Sequence, residues 1–228
     1  MDLPQNGSWA ALQTRVFLGP IGSPLPLGLL ALMCAGLLLS LEGVGAFPAS
    51  DSRTIGLILL GFVVPLELLA SVLSFVARDG IAGTALGLFG GAWLATGLNS
   101  LTATPGSTSA AFGAFMIALA ASFAVAIGGA AFGKAGPAAV VVLGSARLLL
   151  FGLYNVSGSA GLEHAAGIVG FALAAAALYS ALATELEDIH GDLRLPMGRR
   201  ARAREALAGP WEKQLDRLDR EPGVRQQL

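Results

Sequence analysis

Charge is what this chain has least of. Only 13% of its 228 residues are Asp, Glu, Lys or Arg, against about 25% in an ordinary soluble domain. So few charges cannot clothe a water-facing globule of this length, and the mean hydropathy of +0.70 agrees. Cysteine is nearly absent as well. Cys34 stands alone in an apolar run, so no intrachain disulfide can form and thiol content says nothing about compartment. No spacing of side chains suits a metal, and neither a P-loop nor a dinucleotide fingerprint occurs, so neither metal nor cofactor is expected. Nothing suggests nucleic-acid binding. The first twenty residues hold Asp2 and Arg15 and no long apolar core, which argues against a secretory signal peptide.

What the chain does have is segregated. Residues 1–185 carry five basic and seven acidic side chains, whereas 186–228 carry nine and eight. An almost uncharged body followed by a densely charged appendix is the profile of a bilayer-embedded domain with a solvated tail. Crossing about 30 Å of hydrocarbon takes about 20 mostly apolar residues. Runs at 26–46, 55–77, 81–101, 110–132, 138–156 and 161–183 qualify, separated by breaks rich in Gly, Pro, Ser and charge. A transmembrane barrel would show segments of about ten residues with alternating polarity, and none do. The expected fold is therefore an all-α integral membrane protein, a bundle of six transmembrane helices. Its expected parts are an N-terminal arm over 1–22, the helical domain over 23–185 and a charged tail over 186–228.

Alternating helices put Arg15, Arg78, Lys134 and the Arg-rich tail on one side and only Arg53 on the other. The positive-inside rule makes that side, with both termini, cytoplasmic. The expected surroundings are the lipid bilayer of the cell membrane.

Small residues say how the helices meet. Gly83, Gly87 and Gly91 recur every four residues, Gly129 and Gly133 repeat the spacing, and the sixth run has a flank of Ala172 and Ala174 to Ala177. Such stripes let helix backbones approach closely, either inside one subunit or between subunits.

Polar groups inside the spans are the candidate functional residues. Glu42, Asn99, Asn155, Glu163 and His164 all fall at the outer ends of their helices, which reads either as interfacial snorkelling or as the mouth of a polar pathway. His164 is a proton acceptor near neutral pH or a hydrogen-bonded structural group. Glu67 and Arg147 lie near mid-span, where an unpaired charge costs at least about 2.5–3.5 kcal/mol. At 1.5 Å per residue, Glu67 is about 18 Å in from the outer end and Arg147 about 14 Å in from the inner end. Their depths nearly coincide, so each is the other's expected partner, as a buried ion pair or as a binding or gating element. Ser71 and Ser74 extend the face of Glu67, and Pro65 invites a kink. Ser157 and Ser159 near His164 superficially suggest a hydrolase, but no second residue orients the histidine, so an enzyme is not expected.

Three stretches resemble one family. Ser23-Pro24-Leu25-Pro26-Leu27-Gly28-Leu29 resembles the first-helix signature Asn-Pro-Ala-Pro-Leu-Gly-Leu of the acetate uptake transporter family, the acetate/succinate permeases. Gly83 to Trp93 is similar to that family's third helix, with Phe89 in the place of an aromatic. Asn155-Val156-Ser157-Gly158, His164-Ala165-Ala166-Gly167, Tyr179, Gly191 and Leu195-Pro196-Met197-Gly198 follow the order of its last helix and exit. The resemblance covers about residues 21–198.

It implies a homohexamer in which each subunit has its own six-helix pore for acetate, and sometimes succinate or similar short carboxylates, narrowed by a hydrophobic constriction. By that resemblance Leu32 and Phe89 fall at constriction positions of the first and third helices, and Leu143 or Gly144 at that of the fifth. The chain departs from the pattern where Ser23 replaces the asparagine, keeping a short polar cap, where Leu32 replaces an aromatic, and where Arg147 stands at an apolar position.

The tail carries Arg199, Arg200, Arg202 and Arg204, then Trp211, Leu215 and Leu218 at helical spacing. It is either solvated or an amphipathic anchor on anionic headgroups. The leading expectation is passive or proton-linked passage of acetate or another small monocarboxylate. The alternatives are passage of ammonium or another small solute on the same scaffold, and a membrane sensor or scaffold that transports nothing.

Overall fold

A computed structural model describes residues 22–130, 133–190 and 195–199 of the chain. Among them six helices are long and apolar enough to cross a membrane, and no strand is present. They are α1 (Leu25–Gly43), α2 (Ala49–Val76), α3 (Gly80–Thr102), α4 (Ala110–Ala130), α5 (Ala135–Ser157) and α6 (Ala160–His190). Each helix packs on the next, and α6 packs back on α1 to close a ring. Large apolar side chains such as Leu57, Phe62, Val72, Phe115 and Leu182 point outward. That outside suits hydrocarbon and not water, because helices satisfy their own backbone bonds and leave only apolar surface to the lipid. The chain is a multi-pass membrane protein.

The local chemistry accounts for the breaks. Pro26 sits in the first turn of α1, where its missing amide hydrogen is no loss. Ser23, expected to cap this helix, does not: Pro24 holds the N-cap position without a side-chain bond, and Ser23 is exposed. In α2, Leu59–Val63 winds as a π turn just ahead of Pro65. The widened turn accommodates a residue that has no N–H and whose ring crowds the carbonyl one turn back. Arg78 turns left-handed at φ 63 to end α2, and Asp79 then caps α3, its Oδ1 accepting from Ala82 N at 3.0 Å. Gly158, at φ 72, ends α5 in a conformation that side chains disfavour.

The last helix exceeds the apolar run 161–183 and reaches His190, since Glu185, Glu187 and Asp188 are acceptable helix residues once they leave the membrane. Leu195–Arg199 then folds back onto the bundle. Carbonyls of Met197 and Gly198 accept from Gly136 N and Ala135 N, both at 3.3 Å, so this strap satisfies orphan donors at the start of α5. Tyr179 Oη donates to Pro196 O at 3.0 Å, Met197 is buried, and Arg199 pairs with Glu187. The arm before Gly22 and the basic tail, with Arg200, Arg202, Arg204, Trp211, Leu215 and Leu218, lie outside the described residues.

Small residues set the helix seams. A Cβ on Gly113 of α4 would sit 2.6 Å from Gly152 O of α5, and one on Gly43 of α1 would lie 3.2 Å from Glu163 O of α6. The signature glycine Gly28 has the same cause, since a Cβ there would come within 2.7 Å of Leu86. On α3 the stripe is partly re-registered. Gly83 and Gly87 face Phe75 and Ser71 of α2, but Gly91 has nothing within 4 Å, and Gly90 instead meets Leu68. Side chains of Gly83 and Gly87 would therefore clash inside the subunit.

A Gly87→Leu substitution drives a branched side chain at Ser71 Oγ, which lies 3.0 Å from the added Cβ. That hydroxyl donates to Gly83 O at 2.7 Å and ties α2 to α3. Overpacking of this kind costs about 1–3 kcal/mol, so the variant should melt lower in detergent. An unchanged melting temperature and native size would show that the seam tolerates the volume.

Candidate functional site: a divided pathway through the ring

The odd-numbered helices wall the interior. From the inner end a cavity of about 220 Å³ runs between α1, α3 and α5, past Leu25, Leu29, Ala82, Leu86 and Val140, and stops at Leu32 and Phe89. It is apolar except at its mouth, where Asp79 and Lys134 stand. Burial, then the charge of Arg199, pulls the Lys134 ammonium below the usual lysine range, while Asp79 and Asp188 act the other way. From the outer end a second cavity of about 180 Å³ enters among the same three helices and α6. Glu42, Thr96, Asn99, Tyr154, Asn155 and Glu163 give it a polar wall. The two cavities share no lining residue.

An aromatic layer divides them. The Phe89 ring stacks on Trp93, centroids 6.1 Å apart with planes 10° from parallel, and leans on Phe123 at 4.5 Å and 44°. Gly144 of α5 faces this ring so closely that any Cβ would run into it. Leu32, Phe89, Trp93 and Gly144 are all buried. Of the two fifth-helix candidates, Gly144 touches the layer, whereas Leu143 is partly buried beside the core and lines neither cavity.

The expected pairing of Glu67 with Arg147 does not occur. Glu67 is 0% exposed and its Oε1 accepts from Trp93 Nε1 at 3.2 Å, while Oε2 has no hydrogen-bond partner. Arg147 is 3% exposed, and its guanidinium carbon lies 5.6 Å from the centre of the Trp93 ring and 5.8 Å from that of Phe151. The depths do agree, as both groups touch Trp93, but the indole stands between them. Helix spacing gives depth, and only the ring's arrangement decides which faces meet. Ser71 and Ser74 are buried with Glu67, but Ser71 bonds Gly83 O and Ser74 bonds Ala70 O. Glu67 and Ser71 therefore tie α2 to α3, and the stripe lines neither cavity.

At the outer end, Glu42, Asn99, Asn155 and Glu163 converge on one cavity. Ser52 Oγ donates to Glu42 at 2.5 Å. Asn155 also anchors structure, accepting from Ser109 N at 3.5 Å and donating to Phe151 O at 3.0 Å. His164 is exposed and outside the lining, and Ser157 Oγ donates to Leu153 O at 2.8 Å rather than to the histidine. Among the described residues no group of metal-ligating side chains gathers.

Sequence reasoning did not single out Thr96, Tyr154 or Phe123. Thr96 was within reach, because Phe89, Trp93, Thr96 and Ser100 repeat at the spacing of one helix face. Tyr154 likewise follows Arg147 and Phe151 on α5. Phe123 comes from α4, which carries no ionisable residue.

The fold has a solved counterpart. The bacterial acetate channel SatP superposes with a TM-score of 0.68 at 23% sequence identity, over 78% of this chain and 99% of that one. The likeness is one of fold, and that counterpart is a channel rather than an enzyme. No family model matches the chain, and no curated protein matches it.

Proposed function

We propose that this chain belongs to the acetate uptake transporter family and passes acetate or other small monocarboxylates, with succinate as the larger cargo, across the cell membrane. Passage is passive or linked to protons, through a pathway inside each subunit of a homo-oligomer, a hexamer by the family's pattern. The observation that carries this reading is a pair of cavities entering from opposite ends and separated by one aromatic layer. That layer contains Leu32, Phe89 and Gly144, the first two and one of the two fifth-helix candidates, Leu143 and Gly144, at which the family resemblance puts the constriction. An apolar neck between two cavities lets a small solute through while resisting a continuous water column.

Purified protein in liposomes tests it. Labelled acetate should enter faster than into empty vesicles, and a pH gradient should reveal whether protons are coupled. A panel of carboxylates sets the cargo size. One observation favours a second reading, passage of ammonium: the outer cavity is lined by the carboxylates Glu42 and Glu163 and by no cation. Ammonium flux without acetate flux would select it, and vesicles passing no solute would leave the sensor or scaffold reading.

A further inference from the structure

Arg147 is placed as no structural arginine needs to be. It lies one turn inward of Phe151, which lines the outer cavity, and over Trp93, one turn inward of Thr96, which lines it too. On the inner side Trp93 stacks on Phe89, where the inner cavity stops. The guanidinium thus lies one helical turn beneath the outer cavity, outside its lining and against the barrier. Gly170 of α6 makes room for it: a Cβ there would lie 2.9 Å from Arg147 Nε and run into Ser40 Oγ.

Among the described residues nothing neutralises this cation at contact distance. Nε has no hydrogen-bond partner, and no carboxylate among the described residues is within ion-pair reach. Two aromatic faces offset part of the cost of burying it, yet a cation at this depth remains expensive without an anion. The carboxylate whose charge acts on it is Glu42, on the outer wall and held by Ser52. A flat guanidinium fork with a free edge matches the two oxygens of a carboxylate, and the adjoining rings suit a short alkyl end.

We propose that Arg147 is an anion-binding station between the outer cavity and the barrier, taking a small carboxylate ion by its guanidinium with the alkyl end against Phe151 and Trp93. This rests on the transport reading above and adds to it the ionised form as cargo on the outer side. The charge of Glu42 nearby weakens the hold, as passage requires.

The full chain with Trp9→Phe and Trp211→Phe keeps Trp93 as its one indole. Acetate titration should change Trp93 emission saturably, and acetate flux in liposomes should saturate over the same range. Arg147→Met should weaken both readings about tenfold or more, whereas Arg147→Lys should lose less, keeping the charge without the fork. Should the Met variant not fold, Gly170→Ala presses on the guanidinium and should weaken acetate several-fold. If neither emission nor flux saturation differs between the parent and a folded Arg147 variant, the station is wrong while acetate transport can still stand. Arg147-dependent emission without any flux would keep the station and sink the transport reading. Emission that answers ammonium chloride but not sodium acetate overturns the station.

Discussion

Phe89→Ala is expected to raise acetate flux several-fold, to admit acids longer than acetate and to cost about 3–5 kcal/mol of stability. Both effects have one cause. The ring is 1% exposed and wedged between Trp93, Phe123 and Gly144, so it is packing and barrier together. Removing it leaves a void continuous with the inner cavity, which already ends on this side chain. Gly144 cannot fill the space because it has no side chain, and Leu32 is held by the core around α1. Flux of a graded carboxylate series, with a melting curve on the same preparation, reads both effects. A folded variant with the parent's selectivity would move the barrier away from Phe89.

Trp93→Ala should be the most damaging single change in the bundle. Loss of a buried tryptophan costs about 3–5 kcal/mol in packing, and leaving Glu67 without its donor adds about 1–3 kcal/mol. Trp93→Phe separates the two, since it keeps a ring under Arg147 and deletes only the Nε1–H that Glu67 accepts. It should cost the smaller amount alone, and Glu67→Leu in the same background should recover part of it. That non-additivity is the signature of a direct contact. The cycle of Glu67→Gln with Arg147→Met should show far less coupling than the about 3–5 kcal/mol lost when a buried ion pair is broken. Coupling of that size would mean that the two charges meet in the working protein.

The sequence by itself determined the class of fold and the number of spans. Scarce charge, apolar runs of bilayer length and turn residues between them leave a helical bundle as the one answer consistent with all three. It also determined which residues lie at which depth, because a helix advances by a fixed rise per residue. Glu42, Asn99, Asn155 and Glu163 therefore reach one cavity at the outer end, and Glu67 and Arg147 share a level. Azimuth is another matter. In a helix with lipid on one side and apolar packing on the other, both faces are hydrophobic, and the amphipathic signal that orients helices in water is lost. Only the closed ring decided that Gly90 and not Gly91 meets α2, that Gly144 and not Leu143 meets Phe89, and that His164 stays outside the cavity lining. It likewise decided that Trp93 stands between Glu67 and Arg147, because an ion pair needs two side chains on facing surfaces, and equal depth fixes only one of the coordinates that bring them together.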